Sequence, residues 1–206
     1  MKKYFLTLVL GLFAVVGFAQ VTLDGHAGLT VSNLIGTENG FNPNAKPGFV
    51  VGVGVDYAFT DKVSFKSGLD VVSQGAKSKE DGLKAKINPI YLEVPLMGAY
   101  KFNLNENVKL VGMAGLFMGV GVGGKFKVEV DNVSVDYKLF SKDDDLADEA
   151  LMNRFNMGVK YGIGLEVNDR YLINLIGQNS FTNAFNGDFD LDGKLMNFAI
   201  SVGYKF

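Results

Sequence analysis

The single histidine, His26, shares one face of a period-2 stretch with Asp24, and His with a carboxylate is the pairing that orients a general base in acyl transfer. Two residues apart on one strand the pair is diagonal at best, and no serine is marked out as its nucleophile. His26 is therefore expected to be a polar interior residue. Gly119-Val120-Gly121-Val122-Gly123-Gly124 fits G-x-G-x-x-G. A dinucleotide site needs a βαβ unit with a helix opening at the third glycine, and the surrounding alternation places these glycines on a strand instead. Asp188-Phe189-Asp190-Leu191-Asp192-Gly193 matches the first half of a calcium loop, but its twelfth position is Ala199, where a bidentate glutamate is required. Asp192-Gly193 is equally a hairpin-turn pair. Asp143-Asp144-Asp145, with Asp148 and Glu149, could gather divalent ions, although a charge run on a loop is usually just solvated. No catalytic, cofactor-binding or metal-binding residue is assigned, and the expectation is a protein that is not an enzyme and holds no cofactor.

The elements that carry these residues follow from the amino-terminus onward. Lys2 and Lys3, the apolar run Leu6 to Phe18 and the small-x-small Gly17-Phe18-Ala19 predict a signal peptide over 1–19, cleaved after Ala19, with one β-barrel domain over 20–206. The chain has no cysteine, so neither a disulfide nor a thiolate metal site is available. A net charge of −2 without a basic stripe excludes nucleic acid as a partner. After the signal no apolar window reaches the length of a membrane helix, which leaves strands as the only means of crossing a bilayer.

Strands are what the pattern predicts. At the carboxy-terminus Met196, Phe198, Ile200, Val202, Tyr204 and Phe206 alternate with Leu195, Asn197, Ala199, Ser201, Gly203 and Lys205, giving one greasy face and one small or polar face. The same alternation recurs upstream, in segments beginning near Val21, Phe49, Phe65, Tyr91, Leu110, Phe155 and Tyr171, for eight strands in all. Ser32 to Pro47 and Gln74 to Lys86 are predicted loops. Gly123 to Asn153 is the longest connection, within which Phe126 to Leu139 still alternates around Asp131-Asn132 and could project as a hairpin. Pro95 should interrupt its strand with a bulge or break. Connections run long, short, long, short, long, short, long, which is the asymmetry of an all-β, eight-stranded antiparallel transmembrane β-barrel with long external loops and short periplasmic turns.

Aromatic placement says which face is wet. Tyr57, Phe59, Phe65, Tyr100, Phe102, Tyr171, Tyr204 and Phe206 all stand beside the short turns, where a closed barrel would gather them into a girdle at the headgroup level. The opposite faces mix glycine with Asp56, Lys66, Asp70, Glu93, Arg154, Lys160 and Glu166, as suits a narrow lumen whose charges pair across it. Tyr91, Met97, Met113 and Phe117 should occupy the remaining volume, leaving no open pore.

Ala27-Gly28-Leu29-Thr30-Val31-Ser32-Asn33-Leu34, Ser73-Gln74-Gly75-Ala76-Lys77, Tyr91-Leu92-Glu93-Val94-Pro95-Leu96 and the aromatic end Tyr204-Lys205-Phe206 resemble the PorT-like porin family of outer-membrane β-barrel proteins, which share their architecture with OmpX-type barrels. The resemblance spans the chain after the signal. It implies a bacterial outer-membrane location, contact with membrane lipid and lipopolysaccharide, delivery by the outer-membrane insertion machinery, and envelope or secretion proteins as possible partners. The expected function is a structural or interaction role, through external loops or within an envelope or secretion assembly. A small-solute channel and a lipid-modifying enzyme are the alternatives.

Overall fold

Alternating apolar and polar residues can form a sheet with one greasy face only if the other face finds its own company, and closure into a ring supplies it. The computed structural model describes residues 21–36, 44–80, 83–130, 133–140, 150–186 and 193–206. The predicted signal segment 1–19, the acidic run at 143–149 and most of the calcium-like loop lie outside the described residues.

Ten strands run in chain order: β1 (Val21–Ile35), β2 (Asn44–Ala58), β3 (Val63–Ser73), β4 (Ala76–Glu80), β5 (Leu83–Asn103), β6 (Val108–Val130), β7 (Val133–Lys138), β8 (Phe155–Val167), β9 (Tyr171–Ser180) and β10 (Lys194–Lys205). Eight of them, β1, β2, β3, β5, β6, β8, β9 and β10, pair with their neighbours in an antiparallel ring that β10 closes against β1. The two extra strands lie in stretches expected to be loops. Gln74 to Lys86 is mostly sheet, because β4 and the start of β5 form a hairpin from Ala76↔Ile87 to Glu80↔Leu83. The Asn, Gly and Pro of Ser32 to Pro47 likewise give way to ladder on both sides, with Ser32 opposite Lys46. The hairpin read around Asp131-Asn132 is present, as β6 continues to Val130 and pairs with β7.

Pro95 divides the expectation. On its β6 side the ladder runs unbroken through Pro95↔Phe117. On its β3 side pairing stops at Ser67↔Leu96 and resumes at Asp70↔Glu93 in the same register, so the missing N–H opens a gap without shifting the strands. The register shift lies instead at Ile90/Tyr91.

The faces sort as the alternation requires. On β10, Phe198, Ile200, Val202 and Tyr204 are exposed on the outside, while Leu195, Asn197, Ser201 and Lys205 are buried within. The aromatic girdle shows as three groups of ring contacts at one end of the barrel: Tyr57 to Phe59 at 5.0 Å, Tyr100 to Phe102 at 4.5 Å, and Tyr204 to both Tyr171 and Phe206 at 5.6 Å. A second set of outward aromatics, Phe49, Phe155 and Phe181, marks the other edge. Tyr171 and Phe181 are ten residues apart on one strand line, which at ~3.4 Å per residue and a tilt of about 40° is roughly 26 Å, the height of a lipid-facing band.

The girdle end carries the short connections. Asn168 and Asp169 both have positive φ, 53° and 56°, and Arg170 N–H donates to Val167 C=O at 3.1 Å, giving a tight I′-like reversal that short polar residues tolerate. Lys109, at the start of β6, reaches Asp169, and that hydrogen bond holds the Asp169 carboxyl below the usual carboxylate range.

Candidate functional site

Inward positions of an eight-stranded barrel fall within reach of one another, and here they form three levels. At the girdle end, Asp56 on β2 is contacted by Lys66 at 3.0 Å, Lys101 at 2.8 Å and Lys205 at 3.6 Å, and Lys205 also meets Glu166 at 2.7 Å. This joins five strands through two carboxylates.

At mid-height, Lys160 on β8 crosses the lumen to Asp70 at 2.9 Å and Glu93 at 3.5 Å. Glu93 is wholly buried and also accepts from the amides of Gln74 at 2.5 Å and Gln178 at 2.9 Å. His26 lies between Asp24 at 3.0 Å and Asp70 at 3.1 Å. Both ring nitrogens of His26 are therefore occupied by carboxylates. Among the described residues, the inward carboxylates Asp24, Asp56, Asp70, Glu93 and Glu166 are met by the lysines Lys66, Lys101, Lys160 and Lys205 and by the His26 ring. The Asp24–His26 pair is thus closer than strand geometry suggested. What completes it is a second carboxylate and not a hydroxyl.

Above the charges sits an apolar plug. Leu139, Phe140, Met152 and Ala184 turn inward from the connections and pack with Leu34, Ala76, Ile87, Tyr91 and Leu195. Backbone bonds tie the connections to one another, Met152 N–H to Leu139 C=O at 3.1 Å and Asn153 N–H to Ala184 C=O at 3.0 Å, and Met152 bridges Phe185. Arg154 was expected among the lumen carboxylates. It points the other way, donating to the carbonyls of Gly121 and Phe140 and covering the Phe140 ring at 5.8 Å, because it precedes β8 at the mouth.

The glycine run is strand throughout, as the alternation indicated. A Cβ on Gly121 would stand 2.4 Å from the Phe140 ring and one on Gly119 would stand 3.0 Å from Glu93, so these glycines make room for the plug and the ion network. Gly121→Ala should therefore push Phe140 out of its seat and lose its burial, about 2 kcal/mol. Limited proteolysis of refolded protein checks this: faster cutting between residues 140 and 153 with the barrel still resistant is the expected outcome, and an unchanged rate would contradict the packing.

Met97, Ala99, Val111 and Met113 add a small apolar cluster between the two charge levels. The space left beside Asp24, His26, Lys66, Asp70 and Lys160 is a cavity of about 80 Å³. A smaller one, about 40 Å³, lies beside Gln178 and Asn197. Each is room for a few waters and not for a solute of any size.

The barrel fold has counterparts. The family described as outer membrane protein beta-barrel domain matches residues 18–189. The chain belongs to that family. It is accordingly a protein of the bacterial outer membrane. No curated protein matches the chain. Among solved structures it resembles the outer membrane protein OprG from Pseudomonas aeruginosa, with a TM-score of 0.51, 15% identity, and coverage of 91% of this chain and 96% of that one. Ail, the attachment invasion locus protein of Yersinia pestis, gives 0.42 at 20% identity over 91% and 98%. The outer membrane enzyme PagL gives 0.43 at 13% identity over 88% and 97%. At 15% identity the OprG likeness speaks to the barrel fold alone.

Proposed function

We propose that this outer-membrane barrel is a sealed, non-enzymatic interaction protein that presents a projecting sheet to an envelope partner. The observation that carries this reading is the apolar plug: Leu139, Phe140, Met152 and Ala184 fold into the mouth, while β4, the start of β5, the end of β6 and β7 extend the sheet around it. A barrel used as a conduit has no need to fill its own mouth, whereas a scaffold gains rigidity from doing so. A catalytic role for His26 is disfavoured, because both of its ring nitrogens are held by carboxylates. The PorT-like motifs, among them Tyr91 to Leu96, favour an envelope or secretion assembly as the setting.

Affinity capture from detergent-solubilised envelope tests the reading. Full-length protein should retain a partner that a variant with residues 125–138 replaced by a short Gly-Ser turn loses. Identical captured sets from the two would contradict it.

A further inference from the structure

Acyl chains accept a wall of apolar side chains and offer no hydrogen-bond partner to a polar one. Between the two aromatic edges the outward residues of the described strands are apolar or glycine, except for Ser67, Tyr161 and Asn179. Ser67 is satisfied within the wall, its hydroxyl donating to Pro95 C=O at 2.8 Å. Asn179 stands just below Phe181 at the upper edge, within reach of headgroups.

Tyr161 has neither remedy. On β8 it lies equally far from Phe155 at the upper edge and from Val167, which pairs with Tyr171 in the girdle. The other outward tyrosines of the wall, Tyr57, Tyr100, Tyr171 and Tyr204, are girdle residues whose hydroxyls meet the interface. Tyr161 is 40% exposed on the lipid side, and among the described residues no group in the chain hydrogen-bonds its hydroxyl.

The shape of the wall at this height is the second observation. The Tyr161 ring lies across Gly177 on β9, where a Cβ would stand 2.7 Å from it, so glycine there lets the ring lean and carries its hydroxyl toward β9. A groove of about 800 Å³ opens over Gly177, between Tyr161 and Ile163 on β8 and Phe198, Ile200 and Leu29 on β10 and β1. An apolar ridge beside an apolar groove is self-complementary under a two-fold axis, because each copy offers the ridge that the other receives. Copies inserted in the same sense can be related only by an axis along the membrane normal, which joins equal heights. Tyr161 then meets Tyr161. A hydroxyl both donates and accepts, so the two satisfy each other, which an acyl chain in the same groove cannot do.

We propose that the β8–β9–β10 wall is a homodimer interface within the outer membrane. The axis passes over Gly177, Tyr161 is hydrogen-bonded to its counterpart, and the Tyr161–Ile163 ridge of each copy sits in the groove of the other. The interface lies in the lipid band and shares no residue with 125–138, so it stands or falls separately from the envelope partner.

The test follows energy transfer between donor- and acceptor-labelled full-length protein, each dye on Asp61→Cys in a girdle-end turn, as phosphatidylcholine vesicles dilute it. Wild-type wall should associate. Tyr161→Phe, which keeps the ring and should form the same heat-modifiable barrel, should need roughly three- to tenfold higher protein density for the same transfer. The chain has no cysteine, so single-cysteine variants locate the face. Under oxidant, Leu175→Cys beside the axis should give a covalent dimer, and Leu69→Cys, equally lipid-facing on the opposite wall, should not. Monomer at every density, unchanged association of Tyr161→Phe, equal cross-linking at the two cysteines, or native mass spectra of a monomer retaining lipid in place of a second copy would each overturn the proposal.

Discussion

Lys160→Met should destabilise the folded barrel by about 3–5 kcal/mol, because removing one partner of a buried pair leaves the other charge stranded. Lys160 is buried and holds Asp70 and Glu93 across the lumen, so its loss leaves two carboxylates sharing only His26 and the Gln74 and Gln178 amides. Urea unfolding of detergent-refolded protein reads the loss as an earlier midpoint. Adding Glu93→Gln should recover part of it, since the amide restores the hydrogen bonds without the unpaired charge. A single variant as stable as wild type would show that the ion network contributes nothing to the fold.

Deleting Tyr204 to Phe206 should have a larger effect, a loss of the closed barrel. The segment supplies Lys205, which joins Asp56 and Glu166, the Tyr204 contact with Tyr171, and the Phe206 N–H bond to Leu23 C=O at 2.9 Å. Its register with β1, Asp24↔Lys205 and Gly25↔Tyr204, is where the ring is sewn shut. Unpaired backbone groups in hydrocarbon cost several kcal/mol each, so an open seam is not tolerated there. The truncated chain should be degraded or found in the periplasm. Heat-modifiable barrel at normal levels in the outer membrane would refute the expectation.

Much of this architecture is legible because a membrane barrel writes itself in period 2: the greasy face of β10 and the aromatics beside short turns can be read directly. Lumen partners are less so. Asp56 and Lys66 face each other in the β2–β3 register and could be paired from alternation alone. Alternation alone puts Lys101 and Lys205 on the inward faces of their strands, but their convergence on Asp56 depends on how the ring closes. Asp70 joining Asp24 through His26 is hidden for the same reason, because β1 and β3 are brought together only by the strand between them. The plug is harder still. Phe140 and Met152 lie past the alternating part of their connection, and the trace they leave in the sequence is Gly121, whose missing side chain is the Phe140 seat. The extensions of β5 and β6 were partly concealed by Gly, Lys and Ser, residues that read as loop until a neighbouring strand is there to pair with them.

The plug and the ion network beneath it fill the barrel along its axis. Planar-bilayer recording on purified protein tests this most directly. A barrel filled in this way should leave the membrane silent, with conductance no greater than that of protein-free bilayers. Steady ohmic steps, altered by Glu93→Gln or Gly121→Ala, would contradict it and place a small-solute channel ahead of a sealed scaffold.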